Sequence, residues 1–155
     1  MAKNVAREES VHAMARMIAR QGRRTVLGLG QTGLSCVRYL AGQGYQVAVM
    51  DSREAPPGLQ ALKRDWPEVP CQLGGWDASL IEACDELIVS PGISVKEPIV
   101  AEAVAAGIPV IGDIELFARA APAPVLAITG SNGKSTVTRM VTEMAQAAGP
   151  QVATG

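Results

Sequence analysis

The sequence predicts an α/β fold: a Rossmann-like parallel sheet with flanking helices, followed by the truncated start of a P-loop ATPase-type domain. Short apolar runs alternate regularly with helical patterns between residues 25 and 120, and this alternation is typical of a parallel sheet with helices on both faces. Two glycine-rich loops, at 28–33 and 130–133, each lie between a predicted strand and a predicted helix. That layout is typical of nucleotide-binding loops, and prolines at 122 and 124 indicate a linker between the two.

The predicted elements follow the hydrophobic periodicity and the positions of glycine and proline. Strands are predicted at 25–29, 46–50, 69–73, 86–89 and 108–111. Helices are predicted at 34–41, 59–64, 77–84 and 97–106, with a fifth beginning near residue 113. Asp77 and Asp113 are natural N-caps, because a short side-chain oxygen accepts hydrogen bonds from the first N–H groups of a helix. A sixth strand at 124–128 and a helix at 137–148 flank the second glycine loop.

Three segments are expected along the chain. Residues 1–21 are polar with spaced apolar positions and form an N-terminal extension, either a short helix or a frayed segment. Residues 22–120 form the Rossmann-like domain, and residues 121–155 form the beginning of an ATP-binding domain. An ordinary nucleotide-hydrolysing domain needs further strands to carry its acidic Mg²⁺ ligands, so we expect the chain to be the first part of a longer protein.

The composition narrows the classes of function. Hydrophobic residues make up 48% and charged residues 19% of the 155 residues, which is a soluble globular composition. The net charge of −1 and the aromatic content of 3% give no reason to expect a nucleic-acid or membrane partner. Cys36, Cys71 and Cys84 are widely spaced, which predicts reduced, buried thiols in a cytoplasmic protein. We expect a monomer.

The second glycine loop carries the stronger chemical signal. Lys134, Ser135 and Thr136 follow Gly133 directly. Glycines let backbone N–H groups wrap a phosphate, the helix N-terminus adds partial positive charge, and the lysine adds a full charge. The general pattern G-x-x-x-x-G-K-[ST] would put its first glycine where this chain has Ile128, so the loop is a variant. The alternative is a glycine-rich turn that only caps a helix.

The first glycine loop, at 28–33, is a G-x-G-x-x-G pattern directly after the first predicted strand. Asp51 ends the second strand, 18 positions after the last glycine. In such βαβ units the glycines allow close approach of a phosphate, and the acidic residue can accept hydrogen bonds from a ribose or a base edge. The Ser-Pro-Gly segment at 90–92 follows the fourth strand and is expected at the same edge of the sheet. The alternatives are close helix–strand packing for the glycines and a plain turn at 90–92.

Taken together, these motifs resemble the Mur ligases, the ATP-dependent amide ligases of bacterial cell-wall synthesis. Residues 129–136 read TGSNGKST and are similar to that family's T-G-x-N-G-K-[ST] loop, which accounts for the missing early glycine. The segments 28–35, 90–93 and 112–117 read GLGQTGLS, SPGI and GDIELF and resemble the branch of the family that adds D-glutamate. The resemblance covers residues 24–155 and rests on the order and spacing of all the motifs together.

The resemblance implies a three-domain enzyme of peptidoglycan precursor synthesis, and hence of cell-wall biogenesis, cell shape and cell division. Its N-terminal domain would bind the UDP part of UDP-N-acetylmuramoyl-L-alanine, its central domain ATP and Mg²⁺, and its C-terminal domain D-glutamate. Transfer of the ATP γ-phosphate to the substrate carboxylate would give an acyl phosphate, which the amine of D-glutamate then attacks. The 155 residues alone are expected to have no ligase activity, because the family's other catalytic groups lie outside them.

The resemblance also implies roles for residues of this sequence. Lys134 would be catalytic and would contact the β- and γ-phosphates, while Ser135 and Thr136 would face Mg²⁺. ATP would be bound by Gly130, Ser131, Asn132, Gly133, Lys134, Ser135 and Thr136. The UDP part would be bound by Gly30, Gln31, Thr32, Gly33, Asp51, Ser52, Arg53, Ser90, Pro91 and Gly92. Within that set, Asp51 and Arg53 would hold the uracil and its ribose.

Three alternatives stay open from the sequence. The pattern at 28–33 together with Asp51 is compatible with an NAD-type oxidoreductase or sensor domain, although that function does not need the Gly-Lys-Ser-Thr segment. A non-catalytic nucleotide-binding module, complete as it stands, is a second alternative. A sister ligase that adds a different amino acid is a third, because the choice of amino acid belongs to a C-terminal domain.

Overall fold

A computed structural model describes residues 22–154, so the expected N-terminal extension at 1–21 lies outside the described residues. The chain divides into two compact units, the first ending at Ala120 and the second beginning at Ala121. Strands and helices alternate in the first unit, whereas the second contains a glycine loop and one helix. Across residues 22–154, no helix is both long enough and apolar enough to cross a membrane.

The first unit contains a five-stranded parallel sheet, as the sequence predicts. Its strands are β1 (Arg23–Leu27), β2 (Gln46–Asp51), β3 (Cys71–Leu73), β4 (Glu86–Val89) and β5 (Val110–Gly112). Its helices are α1 (Gln31–Gly42), α2 (Leu59–Asp65), α3 (Ala78–Glu82), α4 (Pro98–Ala105) and α5 (Asp113–Ala120). The strand order is β3-β2-β1-β4-β5, and every neighbouring pair is parallel. The chain therefore winds outward from β1 in one direction and from β4 in the other, which is a doubly wound sheet.

Helices cover both faces of the sheet, which confirms the prediction of a parallel sheet between two layers of helices. On one face, α1 and α2 pack against the strands through Val37, Leu40 and Leu62, which are almost completely buried. On the other face, α3 and α4 pack through Ile81 and Ile99. Strand β4 is buried along its whole length, as is expected for a central parallel strand that is covered on both sides.

Several element boundaries differ from the prediction. Strand β1 ends at Leu27 rather than at residue 29, because Gly28 turns the chain with a φ of +89°. Helix α1 begins at Gln31 rather than at residue 34, so the last glycine of the loop is part of the helix. Strands β3 and β5 begin only after Pro70 and Pro109, since proline has no N–H group to donate to a neighbouring strand.

The two predicted N-caps have different outcomes. Asp77 caps α3 as predicted, because its carboxylate accepts a hydrogen bond from the Ser79 amide at 2.9 Å. Asp113 does not precede its helix: β5 runs directly into α5, and Asp113 is the first helical residue. Its negative charge in the first turn still complements the helix dipole.

The predicted sixth strand is wrong for the described residues. Residues 121–154 contain helix α6 (Lys134–Ala147), and the apolar run at 124–128 is not a strand. A strand is stabilised by hydrogen bonds to a neighbouring strand, and the described part of this unit offers no second strand. Helix α6 begins three residues before its predicted start, because Gly133 (φ +77°) turns the loop directly into the helix.

The three cysteines are free thiols, and they confirm the predicted role as core residues. Cys36 and Cys84 are buried, and Cys71 is half-buried. Burial raises the pKa of each thiol, in Cys36 to about 11 with a contribution from the charge of Asp113. The thiols are therefore protonated at neutral pH and behave as small apolar side chains.

An ion network holds α5 against the sheet. Glu86 begins β4 and is 8% exposed. Its carboxylate pairs with Arg24 Nε at 3.0 Å and with Arg119 Nη1 at 2.7 Å. Arg119 also pairs with Glu115, one turn earlier in α5, at 2.8 Å. The last helix of the first unit is thereby tied to the two central strands.

Candidate functional site

Residues that the sequence predicts as ligand contacts come together at one edge of the sheet. Strand β1 lies between β2 and β4, and the three strands are parallel. The segments that follow them, at 28–33, 51–53 and 90–92, are therefore neighbours and form what we call the carboxyl edge. The strand order changes direction between β1 and β4, and in doubly wound sheets this switch point opens the crevice in which ligands bind.

The three glycines of the first loop differ in what surrounds them. At Gly28, with its φ of +89°, a Cβ would lie 3.2 Å from the Cβ of Ser90. At Gly33, a Cβ would lie 1.8 Å from the carbonyl oxygen of Gly28, so α1 can approach β1 only through a glycine. At Gly30, a Cβ would meet no atom of the described residues within 4 Å. The positive φ therefore explains Gly28 and close packing explains Gly33, whereas Gly30 exposes its backbone to open space.

The amino end of α1 faces this open space. Gly30 is the N-cap of the 12-residue helix and has extended backbone angles (φ −86°, ψ −165°). Within residues 22–154, no side chain caps the helix, and its first turn contains no acidic residue. The amides of Gln31 and Thr32 are among the first N–H groups of the helix, which have no partner inside it. Such an end attracts an anion through these N–H groups and through the helix dipole.

Hydrogen bonds from three directions hold the loop in place. The Ser90 hydroxyl, on the β4 side, donates to the carbonyl oxygen of Gly28 at 3.0 Å. On the β2 side, the Leu29 amide donates to Asp51 Oδ2 at 2.7 Å. The Gly58 amide, ahead of α2, donates to the Leu29 carbonyl oxygen at 3.0 Å. The peptide that presents Gly30 is therefore fixed before any ligand arrives.

Asp51 is completely buried and makes an ion pair with Arg53. Its Oδ1 accepts hydrogen bonds from the amide and from Nε of Arg53, at 2.9 and 2.8 Å. Its Oδ2 accepts from Nη2 of Arg53 at 2.7 Å. Burial alone would raise the pKa of Asp51, but the hydrogen bonds from Arg53 and Leu29 outweigh it and hold the pKa at about 2. The carboxylate is charged at every pH near neutrality, and the guanidinium is 51% exposed.

The predicted UDP contacts separate into exposed and buried members. Those with exposed or half-exposed surface are Gly30, Gln31, Thr32, Ser52, Arg53, Pro91 and Gly92. Gly33, Asp51 and Ser90 are buried and contact the loop rather than the open edge. The contact of Gly58 with the loop has no signal in the sequence, because the Pro-Pro-Gly pattern at 56–58 indicates a turn but not which loop the turn packs against.

Trp76 packs against the core cluster beneath α3 and α4. Its indole Nε1 donates to Glu97 Oε2 at 3.3 Å. The side chain therefore links the segment after β3 to the start of α4.

A cavity of about 510 Å³ lies at the opposite, amino edge of the first unit. Its lining includes Arg24, Tyr45, Val69 and Pro70. The guanidinium of Arg24 stacks over the Tyr45 ring at 4.8 Å from the ring centre and also pairs with Glu86. None of the predicted ligand contacts lines this cavity, so the carboxyl edge is the candidate site of the first unit.

The second unit presents the lysine-containing loop. Gly130 has a φ of +153° and Gly133 a φ of +77°, conformations that favour glycine and let the chain fold over itself. The Lys134 side chain bends back over the loop, and its ammonium donates to the Gly130 carbonyl oxygen. Helix α6 is 14 residues long and begins at Lys134. The loop therefore brings a lysine and a helix N-terminus to one place, which is the arrangement that binds phosphates.

The same loop has the groups that Mg²⁺ with a nucleotide would need from it. Ser135 and Thr136 stand exposed in the first turn of α6, and either hydroxyl is a suitable oxygen ligand. In the described part of the chain, no cluster of three or more His, Cys, Asp or Glu side chains could hold a metal ion alone. Mg²⁺ usually keeps several waters and uses phosphate oxygens, so the loop fits a phosphate-bound Mg²⁺ rather than a metal site of its own.

Comparison with known proteins identifies close relatives. A ligase from Marinobacter nauticus named UDP-N-acetylmuramoylalanine--D-glutamate ligase is 58% identical over 139 residues, which are 90% of this chain and 31% of the relative. The protein of the same name from Nitrosococcus oceani is 56% identical over 84% of this chain and 29% of the relative. The chain thus spans about a third of the length of these curated relatives.

Solved structures share the fold at low sequence identity. A UDP-N-acetylmuramate-alanine ligase from Thermotoga maritima matches 81% of this chain and 29% of its own, with a TM-score of 0.55 and 20% identity. A pseudomurein peptide ligase type C from Methanothermus fervidus matches 83% of this chain and 27% of its own, with a TM-score of 0.56 and 24% identity. The model of the family described as Mur ligase MurD-like, N-terminal domain, matches residues 22–112, which is more than half of the chain. The chain therefore belongs to the MurD-like Mur ligase family.

Proposed function

We propose that the whole protein is an ATP-dependent amide ligase of peptidoglycan precursor synthesis, which joins D-glutamate to UDP-N-acetylmuramoyl-L-alanine. Membership of the Mur ligase family and the shared name of the relatives from M. nauticus and N. oceani support this activity. The first unit would bind the UDP part of the substrate at the carboxyl edge. The loop at 130–133 of the second unit would bind the phosphates of ATP.

The open backbone at Gly30 is the observation that carries the UDP site. A glycine that neither packing nor a positive φ requires is explained if a ligand approaches the backbone at that position. The uncapped amides of Gln31 and Thr32 would donate to the diphosphate. The exposed guanidinium of Arg53 supplies N–H donors for carbonyl or phosphate oxygens and a planar face for a base.

The residues of the second loop would hold ATP. Glycines 130 and 133 let the backbone curve around a phosphate, and the ammonium of Lys134 would move from the Gly130 carbonyl to the β- and γ-phosphates. There it neutralises charge on the transferring group, which is how proteins catalyse phosphoryl transfer. ATP would supply the phosphoryl group that turns an unreactive carboxylate into an acyl phosphate, with ADP as the leaving group, and Mg²⁺ would neutralise charge on the phosphates. Ser135 and Thr136 would orient the Mg²⁺.

We further propose that the protein works in the cytoplasm as a monomer, without a nucleic-acid or membrane partner. The free thiols of Cys36, Cys71 and Cys84 agree with a reducing compartment. The net charge of −1 is too small to attract a polyanion by bulk electrostatics. Sedimentation of the purified chain tests the monomer directly.

The substrate site is tested by calorimetric titration of this chain with UDP-N-acetylmuramoyl-L-alanine, with NAD as the control ligand. We expect heat of binding from the muramoyl nucleotide and none from NAD. Binding of NAD alone would contradict the ligase proposal and favour the dinucleotide-binding oxidoreductase.

A second titration with ATP and Mg²⁺ uses Lys134→Met as its control, because the variant keeps the loop glycines but removes the charge that the phosphates need.

A further inference from the structure

We propose that Asp51 is a positioning residue, which acts on the ligand through Arg53 and not by touching it. This inference rests on the proposed UDP site at the carboxyl edge. An acidic residue at the end of the second strand is usually expected to accept hydrogen bonds from the ligand itself. The geometry here favours a different role. Asp51 is buried, its acceptor sites are occupied, and Arg53 rather than Asp51 has an exposed side.

The carboxylate of Asp51 has no capacity left for a ligand. Its side chain is 1% exposed. A carboxylate offers about four lone-pair sites, and this one already accepts four hydrogen bonds, three from Arg53 and one from the amide of Leu29. A ligand donor could bind only by displacing one of these partners, each of which lies within 2.9 Å.

Arg53 is instead the group that this pairing prepares for a ligand. Two of the five guanidinium N–H groups, on Nε and Nη2, are used on Asp51 in a side-by-side pair. Among residues 22–154, the other three have no hydrogen-bond acceptor, and the side chain is 51% exposed. A bidentate pair fixes the plane of the guanidinium, so the arginine does not lose its rotamer freedom again when a ligand binds. The ligand chemistry that fits is a carbonyl or phosphate oxygen, or the face of a planar base.

The contact between Asp51 and Leu29 does not provide a competing explanation for an effect on binding. The glycine loop is also held by the amide of Gly28 on the Met50 carbonyl oxygen at 2.8 Å and by the hydroxyl of Ser90. An asparagine at position 51 would keep one acceptor oxygen for the Leu29 amide. It would lose the negative charge and would present an NH₂ group to Arg53, so the change Asp51→Asn selectively disturbs the arginine.

A double-mutant cycle on the full chain separates the two roles. The probe is UDP, and the readout is its dissociation constant from calorimetry. We expect Asp51→Asn to weaken binding at least tenfold in the wild-type background and by less than threefold in the Arg53→Gln background. Asp65→Asn is the matched control, because Asp65 makes the same kind of two-point pair with Arg64 at the far end of α2; it should leave UDP binding unchanged.

Two results of the cycle would overturn the proposal. An equal loss in both backgrounds would mean that Asp51 touches the ligand directly, and no loss in the wild-type background would mean that it does not act on the site. Should Asp51→Asn not fold, Arg53→Lys replaces it, because lysine keeps the charge but cannot form the two-point pair. Positioning predicts at least a tenfold loss for Arg53→Lys, whereas unchanged binding would overturn it.

A ligand-free readout distinguishes failure of this inference from failure of the proposed UDP site. In a ¹H–¹⁵N spectrum, the paired Nε–H of Arg53 should give a resonance that is protected from exchange with water, assigned by its loss in Arg53→Lys. Asp51→Asn should remove the protection. If the wild-type chain does not bind UDP, the proposed UDP site is wrong, and the exchange behaviour of this resonance alone tests whether Asp51 positions Arg53. Protection of the resonance that persists in Asp51→Asn would overturn the positioning role.

Discussion

Gly28, Gly30 and Gly33 lack a side chain for three different physical reasons. Gly28 has a φ of +89°, Gly33 lies where a Cβ would collide with the Gly28 carbonyl oxygen, and Gly30 borders open space. A sequence pattern marks all three positions alike, because it records residue types and their spacing. It does not show which atoms surround the place where a side chain would stand. The same limit applies to Asp51 and Ser90, which the sequence placed correctly at the carboxyl edge but could not show to be buried.

The change Gly30→Ala should separate binding from folding. The backbone angles at Gly30 are accessible to alanine, and the added methyl group meets no described atom within 4 Å, so we expect unfolding free energy within about 0.5 kcal/mol of wild type. Affinity for UDP-N-acetylmuramoyl-L-alanine should fall at least tenfold, since the methyl group occupies the approach to the backbone. Gly42→Ala, also unobstructed but at the other end of α1, is the control for calorimetry. Equal affinities of both variants would contradict a ligand at Gly30.

The change Gly33→Ala should instead destabilise the fold. Its Cβ would lie 1.8 Å from the Gly28 carbonyl oxygen, and this neighbour is backbone that three hydrogen-bonded strands hold in place. Moving α1 away from β1 should cost about 3 kcal/mol of unfolding free energy. Urea unfolding of Gly33→Ala measures this loss of unfolding free energy, with Gly42→Ala as the control. A loss below about 1 kcal/mol would show that the helix is not held at this distance.

Asp51 should make stability depend on pH in the acid range. Its pKa is about 2 in the folded chain against an ordinary 3.8, so the folded state binds the proton less readily than the unfolded state. The stabilisation, about 2 kcal/mol, is fully present above about pH 4 and is lost as the pH falls towards 2. Urea unfolding at pH 6 and at pH 2.5 should therefore show a difference between wild type and Asp51→Asn that shrinks on acidification. A constant difference would indicate that the charge of Asp51 contributes nothing.

At the scale of elements, the alternating pattern of strands and helices was the most informative signal. The sequence predicted five strands and five helices of the first unit, and strand β4 at 86–89 matches its prediction residue for residue. The predicted elements differ from the structure where contacts between residues distant in sequence, rather than the local pattern, decide the local structure. The apolar run at 124–128 has the composition of a strand, yet a strand also needs a neighbour, which no local window contains. The early start of α1 likewise involves a long-range contact, because Gly33, its third residue, packs against the carbonyl oxygen of Gly28 just after β1.

The attachment of α5 to the sheet is an element-scale feature that mutation can test. Glu86→Gln keeps the size of the side chain but leaves the guanidiniums of Arg24 and Arg119 without their shared carboxylate. We expect a loss of about 2 to 3 kcal/mol in unfolding free energy and faster amide exchange along α5. Glu115→Gln removes only the exposed partner of Arg119 and should change both quantities much less. Similar effects of the two variants would show that the buried network does not fasten α5.

At the scale of the whole molecule, the sequence predicted a parallel α/β fold but not the order of its strands. The order β3-β2-β1-β4-β5 is what makes the ends of β1, β2 and β4 neighbours, and it depends on the handedness of crossovers rather than on any one motif. The predicted UDP contacts lie together because they end or follow the neighbouring strands β1, β2 and β4. Their division into exposed contacts and buried supports required the three-dimensional packing.

The most direct test of a UDP site at the carboxyl edge is chemical-shift mapping of the chain with UDP-N-acetylmuramoyl-L-alanine. The largest changes should fall on the amides of Gly30, Gln31 and Thr32 and on the Nε–H of Arg53, with the cavity around Tyr45 undisturbed. Changes centred on Arg24 and Tyr45, at the opposite edge of the sheet, would contradict the site, and so would a spectrum that does not change at saturating ligand.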